Sequence, residues 1–205
     1  NISSSKDIYL DFVRLAHDTI LELGKIPVGW GEIWTNFGST LNGGVVLQKW
    51  LIQQNLTDMI DHGYRVINVE APTNYLDHLD VTWEEMYSFE MCNYDDDDGD
   101  TTRRNNNDDL CDTLVLGGGG EMWGETVDTS DVLSTVWPKL GAIAERLWTP
   151  RDKTDAMKKE NVMDEIVKPR LAEFRCLLNR RGIAATPLHK RSREAPARPG
   201  SCYDQ

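Results

Sequence analysis

Positive charge is scarce in this chain: 22 Lys and Arg stand against 34 Asp and Glu over 205 residues, a formal net charge of -12 at pH 7. Phosphate backbones are held by clustered Lys and Arg, so this balance excludes a nucleic-acid partner. Long apolar runs are missing too. None approaches the roughly 18–20 consecutive residues of a membrane span. The opening stretch, NISSSKDIYL, has neither the basic flank nor the apolar region of a signal segment, so no address of its own is expected within this sequence. Cysteines number four, Cys92, Cys111, Cys176 and Cys202, with no CxxC pair, and the four His are scattered. Neither a metal site nor a cofactor is expected. The glycine-rich GGGGEMWGE lacks both the GK[ST] of a phosphate loop and GxGxxG spacing, which argues against nucleotide binding.

What remains is an ordinary globular composition, 40% hydrophobic and 27% charged, long enough for a sizeable core. Two sequons, NIS at Asn1 and NLT at Asn55, point to the secretory pathway. The acidic YDDDDGD resembles a calcium loop, but placing Gly99 at the sixth position puts Tyr94 first and Asn105 twelfth, where Asp and Glu are required. That reading fails, and the Asp/Asn stretch is expected to be a solvated surface excursion.

Hydrophobic periodicity orders the rest. Tyr9, Phe12, Val13, Ala16, Ile20 and Leu23 recur at helical spacing up to Gly24, and KIPVGWGEIW reads as a buried strand. LNGG turns the chain into a second strand at VVLQKW; LIQQNLTDMIDHG predicts a helix and YRVINVE a third strand. After a short helix at TWEEMYSFE, TLVLGG predicts a fourth strand and VLSTVWPKLGAIAERLW one continuous helix. Strands separated by helices imply right-handed crossovers and a parallel sheet, so the fold class is α/β.

The ends of those strands carry the chemistry. Trp30, Trp50, the pair Tyr75 and Asp77, and the pair Trp123 and Glu125 each lie at or just beyond the carboxyl end of a predicted strand. In an α/β barrel that rim holds the binding and catalytic groups. Aromatic faces pack on the C–H faces of a pyranose, and carboxylates accept hydrogen bonds from ring hydroxyls, so the composition suits a sugar. Glycines 117–120 would let the backbone bring Trp123 beneath a ligand. Core packing of Trp30 and Trp50, and a tight closure at the glycines with no ligand, are the alternatives.

In this order, PVGWGEIW, VVLQKW, APTNYLDHLDVTWEEMYSFE, GGGGEMWGETVD, WPKLGAIAERLW and RLAEFRCLLNRRGIAATPL resemble the carboxyl-terminal half of the β-N-acetylhexosaminidases of glycoside hydrolase family 20. The resemblance implies about four strands of a (β/α)8 TIM barrel, incomplete on its own, over residues 1–188. An acidic insertion interrupts it at about 92–112, and a tail follows at 189–205. It implies that Trp30, Trp50 and Trp123 enclose the N-acetyl group of a terminal N-acetylhexosamine, with Trp123 also beneath the ring. Tyr75 would bond the acetamide carbonyl, Asp77 the C6 hydroxyl and Glu125 the C4 hydroxyl. In the family the substrate's own acetamide oxygen attacks the anomeric carbon.

The resemblance also requires a Glu directly after an Asp as proton donor. The only Asp-Glu dipeptide here, Asp164-Glu165, falls in a helical context and reads as a solvated surface pair, so the catalytic pair is expected upstream. Glu145 and Arg146 read as structural ion-pair partners. Cys176 with Cys202 matches a disulfide at the family's carboxyl terminus; Cys92 with Cys111 would close the acidic loop. The partners implied are a glycan substrate and the amino-terminal half of the same enzyme, with a homodimer left open, in a lysosomal, vacuolar or extracellular setting. The other function class is a carbohydrate-binding remnant that keeps the aromatic platform without the acid.

Overall fold

The computed structural model describes residues 4–92 and 110–188. Asn1, Cys202, the tail from 189 onward and the calcium-like stretch lie outside the described residues. Four parallel strands are present: β1 (Val28–Trp30), β2 (Val46–Lys49), β3 (Arg65–Asn68) and β4 (Val115–Gly117), hydrogen-bonded in that order. The helices are α1 (Ser5–Glu22), α2 (Glu32–Phe37), α3 (Leu56–Asp61), α4 (Trp83–Ser88), α5 (Val132–Val136), α6 (Lys139–Trp148), α7 (Arg151–Lys159) and α8 (Met163–Arg180). Two compact units divide the chain, one of residues 1–71 and 90–118, the other of residues 72–89 and 119–205.

The first unit contains the whole sheet. Register places Gly29, Leu47 and Val66 side by side, and Trp30, Gln48 and Ile67 on the next row. Successive strand residues face opposite ways. Leu47 and Val66 are fully buried in a core with Val13 of α1, Ile33, Trp34 and Phe37 of α2, and Met59 and Ile60 of α3. On the opposite face Val28 and Trp30 are exposed. Ser4 caps α1 by accepting from the Asp7 N–H at 3.3 Å, and Gly24, at φ 67°, turns the chain out at its end. Of the periodic residues on that helix only Val13 is buried; Phe12 and Leu23 face solvent. A disulfide joins Cys92 to Cys111, with 6.0 Å between their Cα atoms.

Three expectations of local structure are corrected here. The first strand stops at Trp30, because Gly31 turns to helical dihedrals (φ -56°, ψ -16°) and the Thr35 N–H donates to its carbonyl, so Ile33 and Trp34 belong to α2. The helix expected from Leu51 begins only at Leu56, capped by the Asn55 side chain, which accepts from the Asp58 N–H at 2.9 Å. Thr113 and Leu114 are helical, and the fourth strand shortens to Val115–Gly117.

In the second unit α4 starts at a capping box. The Thr82 hydroxyl accepts from the Glu85 N–H, and Glu85 accepts from the Thr82 N–H at 2.6 Å. Trp83 and Tyr87 of α4 are buried with Ala142 of α6 and Val167 and Leu171 of α8. The continuous helix expected across VLSTVWPKLGAIAERLW is corrected to two, α5 and α6. A residue before proline is disfavoured in the helical region, and Trp137 is extended at φ -101°, ψ 141°. Its carbonyl accepts instead from the Thr186 N–H at 3.0 Å.

Candidate functional site

Trp30 ends β1 and Trp50 directly follows β2, so parallel pairing of adjacent strands brings the two indoles together. Their ring centroids lie 6.5 Å apart at an interplanar angle of 81°. Trp30 is 38% exposed, which decides against a core role for it. The Trp50 indole N–H donates to Glu32 Oε2 at 2.9 Å. Below the pair, Lys49, 3% exposed, forms an ion pair with Glu70. The Ala71 N–H then donates to the Trp50 carbonyl at 2.8 Å, carrying the ladder one step past the strands.

The remaining candidates belong to the second unit. Tyr75 and Glu121 form an isolated parallel bridge: the Leu76 N–H donates to the Glu121 carbonyl and the Glu121 N–H to the Asn74 carbonyl, both at 2.8 Å. This short ladder holds the Tyr75–Asp77 segment beside the one leading to Trp123 and Glu125. Tyr75 is buried, with its ring edge-on to His78 at 6.0 Å; Trp123 and Glu125 are exposed. Asp77 is half-buried, but its Oδ1 is enclosed and accepts no hydrogen bond among the described residues. An enclosed carboxylate oxygen without a protein donor is costly, so an ordered water or a ligand has to supply one. Asn68 Oδ1 and Trp83 Nε1 are similarly enclosed, but they are neutral groups.

The glycines answer to the protein first. Gly117, at φ 134°, takes a backbone conformation that side chains disfavour. A Cβ on Gly118 would lie 2.5 Å from the Asn68 carbonyl oxygen and 2.6 Å from Met91 Sδ, and one on Gly120 would lie 2.7 Å from Leu140 Cδ1. At these two positions close packing of the chain's own atoms accounts for the missing side chains. This crowding fits the alternative of a tight closure at Gly118 and Gly120.

Other sequence candidates fall where their surroundings explain them. Asp164 and Glu165 lie in the first turn of α8, and Asp164, with its side chain 73% exposed, pairs with Lys168 at 3.9 Å. Arg146 binds Asp155 at 3.2 Å and donates from Nε to the Phe89 carbonyl at 3.1 Å; Glu145 pairs with Arg170. Asn55 is exposed. Cys176 is buried in α8, and its expected partner Cys202 lies outside the described residues. Glu32, Gln54 and Asn74, which hold the aromatic residues in place, were not singled out by sequence pattern. The available signals were weak: Glu32 sits two residues after Trp30, Gln54 four after Trp50.

Comparison with known proteins identifies the family and the fold. The profile described as "Glycosyl hydrolase family 20, catalytic domain" matches residues 1–151. Beta-hexosaminidase 1 of Arabidopsis thaliana is 40% identical over 203 residues, covering 98% of this chain and 35% of its own. Beta-hexosaminidase subunit B2 of Dictyostelium discoideum is 36% identical, covering 99% of this chain and 33% of its own. The chain therefore spans about a third of the length of these curated relatives. In fold it is similar to the GH20 exo β-N-acetylglucosaminidase of Vibrio harveyi in complex with N-acetylglucosamine. That likeness has a TM-score of 0.62 at 21% identity, over 92% of this chain and 29% of that one. The β-N-acetylhexosaminidase of Bacteroides fragilis gives 0.60 at 19% identity, over 91% and 37%. The four-stranded α/β fold is thus part of a TIM-barrel-like domain.

Proposed function

Because the chain belongs to glycosyl hydrolase family 20, we propose that it carries the sugar-binding rim of a β-N-acetylhexosaminidase, one that releases terminal non-reducing N-acetylhexosamine from glycans. Trp30, Trp50 and Trp123 receive the N-acetyl methyl group and the apolar sugar face. Tyr75 donates to the acetamide carbonyl, Asp77 accepts from the C6 hydroxyl and Glu125 from the C4 hydroxyl. So held, the acetamide oxygen bonds to the anomeric carbon as the glycosidic C–O bond breaks, and the leaving oxygen takes a proton from a carboxylic acid. Orientation does much of this work by raising the effective molarity of the internal nucleophile. The proton donor is assigned to polypeptide outside this sequence, since Asp164-Glu165 lies exposed on α8. A disulfide and an exposed sequon at Asn55 support a secretory-pathway setting.

The observation that carries this reading is the enclosed Asp77 Oδ1, in a segment pinned at Tyr75 to Glu121, two residues before Trp123. It is tested in the intact enzyme by comparing a chromogenic N-acetylglucosaminide with its 6-deoxy analogue. The parent protein should prefer the C6 hydroxyl by about 10- to 100-fold in kcat/KM, and Asp77→Asn should erase most of that preference. If the variant still discriminates as well as the parent, Asp77 does not read this hydroxyl. Sugar binding without any hydrolysis by the intact protein would point instead to a carbohydrate-binding module.

A further inference from the structure

The edge-to-face pair of Trp30 and Trp50 is held by side chains that need never touch a sugar. Glu32, in the first turn of α2, accepts from the Trp50 indole N–H at 2.9 Å. Gln54, buried at 4% exposure, accepts through Oε1 from the backbone N–H of Trp50 at 3.3 Å and of Leu51 at 3.2 Å. Its amide nitrogen donates to Thr35 Oγ1, one turn along α2, at 3.4 Å. The same Gln54 amide fills the space beside Gly31, where any Cβ would collide with it. Gly31 directly follows Trp30, and its N–H donates to the Gln48 carbonyl at 2.8 Å. The α2 turn and Gln54 thus link the backbone after Trp30 to the backbone at Trp50.

An indole on a mobile loop can swing about χ1 and χ2, and fixing its ring nitrogen removes most of that freedom. A hydrogen bond to a charged acceptor is about twice as strong as a neutral one, so the carboxylate suits the task. With its N–H committed to Glu32, Trp50 offers a ligand its ring and not a donor. We infer that Glu32 and Gln54 are positioning residues, which set the angle of Trp50 against Trp30 and so shape the wall that receives the N-acetyl group. This rests on the role proposed above for Trp50.

Two indoles at this separation and angle couple in the far ultraviolet, so their geometry can be read apart from activity. In the intact enzyme the circular-dichroism difference between the parent and Trp50→Phe isolates that couplet. Glu32→Ala should reduce it to less than half and lower kcat about 10- to 100-fold, with KM changing less than about threefold, because near-attack geometry and not affinity is lost. Glu32→Gln, which keeps an acceptor, should return both to within about threefold of the parent. In a Trp50→Phe background, where the N–H is already gone, Glu32→Ala should change kcat by less than about twofold. That cycle also serves if Glu32→Ala is poorly folded.

An undiminished couplet in Glu32→Ala overturns the positioning role whatever the kinetics. A full additional loss of kcat in the Trp50→Phe background overturns it as well, since Glu32 would then act by another route. A lost couplet with kcat unchanged strikes elsewhere: Glu32 would orient Trp50, but Trp50 would not serve the reaction, and the functional reading of the tryptophan pair would fall.

Discussion

Tyr75 is almost entirely buried, yet a short backbone ladder to Glu121 and an edge contact with His78 settle its ring. Tyr75→Phe keeps that packing and removes only the hydroxyl. Losing one oriented donor should lower kcat about 10- to 1,000-fold while KM moves less, as steady-state kinetics of the intact enzyme would show. A folded variant with unchanged kcat removes Tyr75 from the reaction. At this scale the sequence was most informative where chemistry is unusual: an aromatic beside a carboxylate after a strand is rare enough to notice. It was least informative for groups whose role is to hold others. Gln54 and Glu32 look like any polar residues of a surface helix or turn, and only their contacts with Trp50 distinguish them.

Between elements, a polar junction forms where α4, α6 and α8 meet. The Tyr87 hydroxyl donates to Glu145 at 3.2 Å, and Glu145 in turn pairs with Arg170. Burial first, and the Glu145 charge second, push the Tyr87 pKa up to about 12. An unfolded tyrosine ionises near pH 10. The folded state therefore holds its proton longer than the unfolded state. Its stabilising contribution is complete below about pH 10 and is lost as pH rises from there to about 12, a change of roughly 2–3 kcal/mol. Tyr87→Phe should flatten the fall in thermal midpoint over that window. An identical fall in parent and variant would show that Tyr87 does not titrate with unfolding. The helices that build this junction were legible as periodic stretches, but the break at Pro138 was smoothed over because apolar spacing continues across it.

At the scale of the whole molecule, apolar surface is left over. On α1, Ile8, Phe12 and Leu15, and Leu23 just after it, are each more than half exposed, and Val28 of the edge strand β1 is 54% exposed. An unpaired strand edge beside apolar side chains is a template for association. Expressed alone, the 205-residue chain should therefore elute as aggregates or bind a hydrophobic dye, and should hydrolyse no N-acetylhexosaminide. Co-expression with the rest of a family barrel should restore solubility and turnover together. A cooperative monomer that cleaves a chromogenic N-acetylglucosaminide by itself would mean that the proton donor is a carboxylate of this chain.

Strand and helix alternation and the family were readable from order and motif, because they depend on local periodicity and on short ordered stretches of sequence. The lengths of the strands were not: Gly31 ends β1 by turning helical, and a single residue's dihedrals outweigh the apolar pattern that continues past it. Tertiary structure alone decided why the glycines are there. Gly118 is small because the Asn68 carbonyl and Met91 occupy its side-chain space, a contact across fifty residues of sequence for the first and twenty-seven for the second. It likewise decided that Trp30 and Trp50 stand edge to face and that Asp77 keeps an enclosed oxygen without a donor among the described residues. Such facts depend on which atoms meet when distant segments pack, and no window of neighbouring residues contains them.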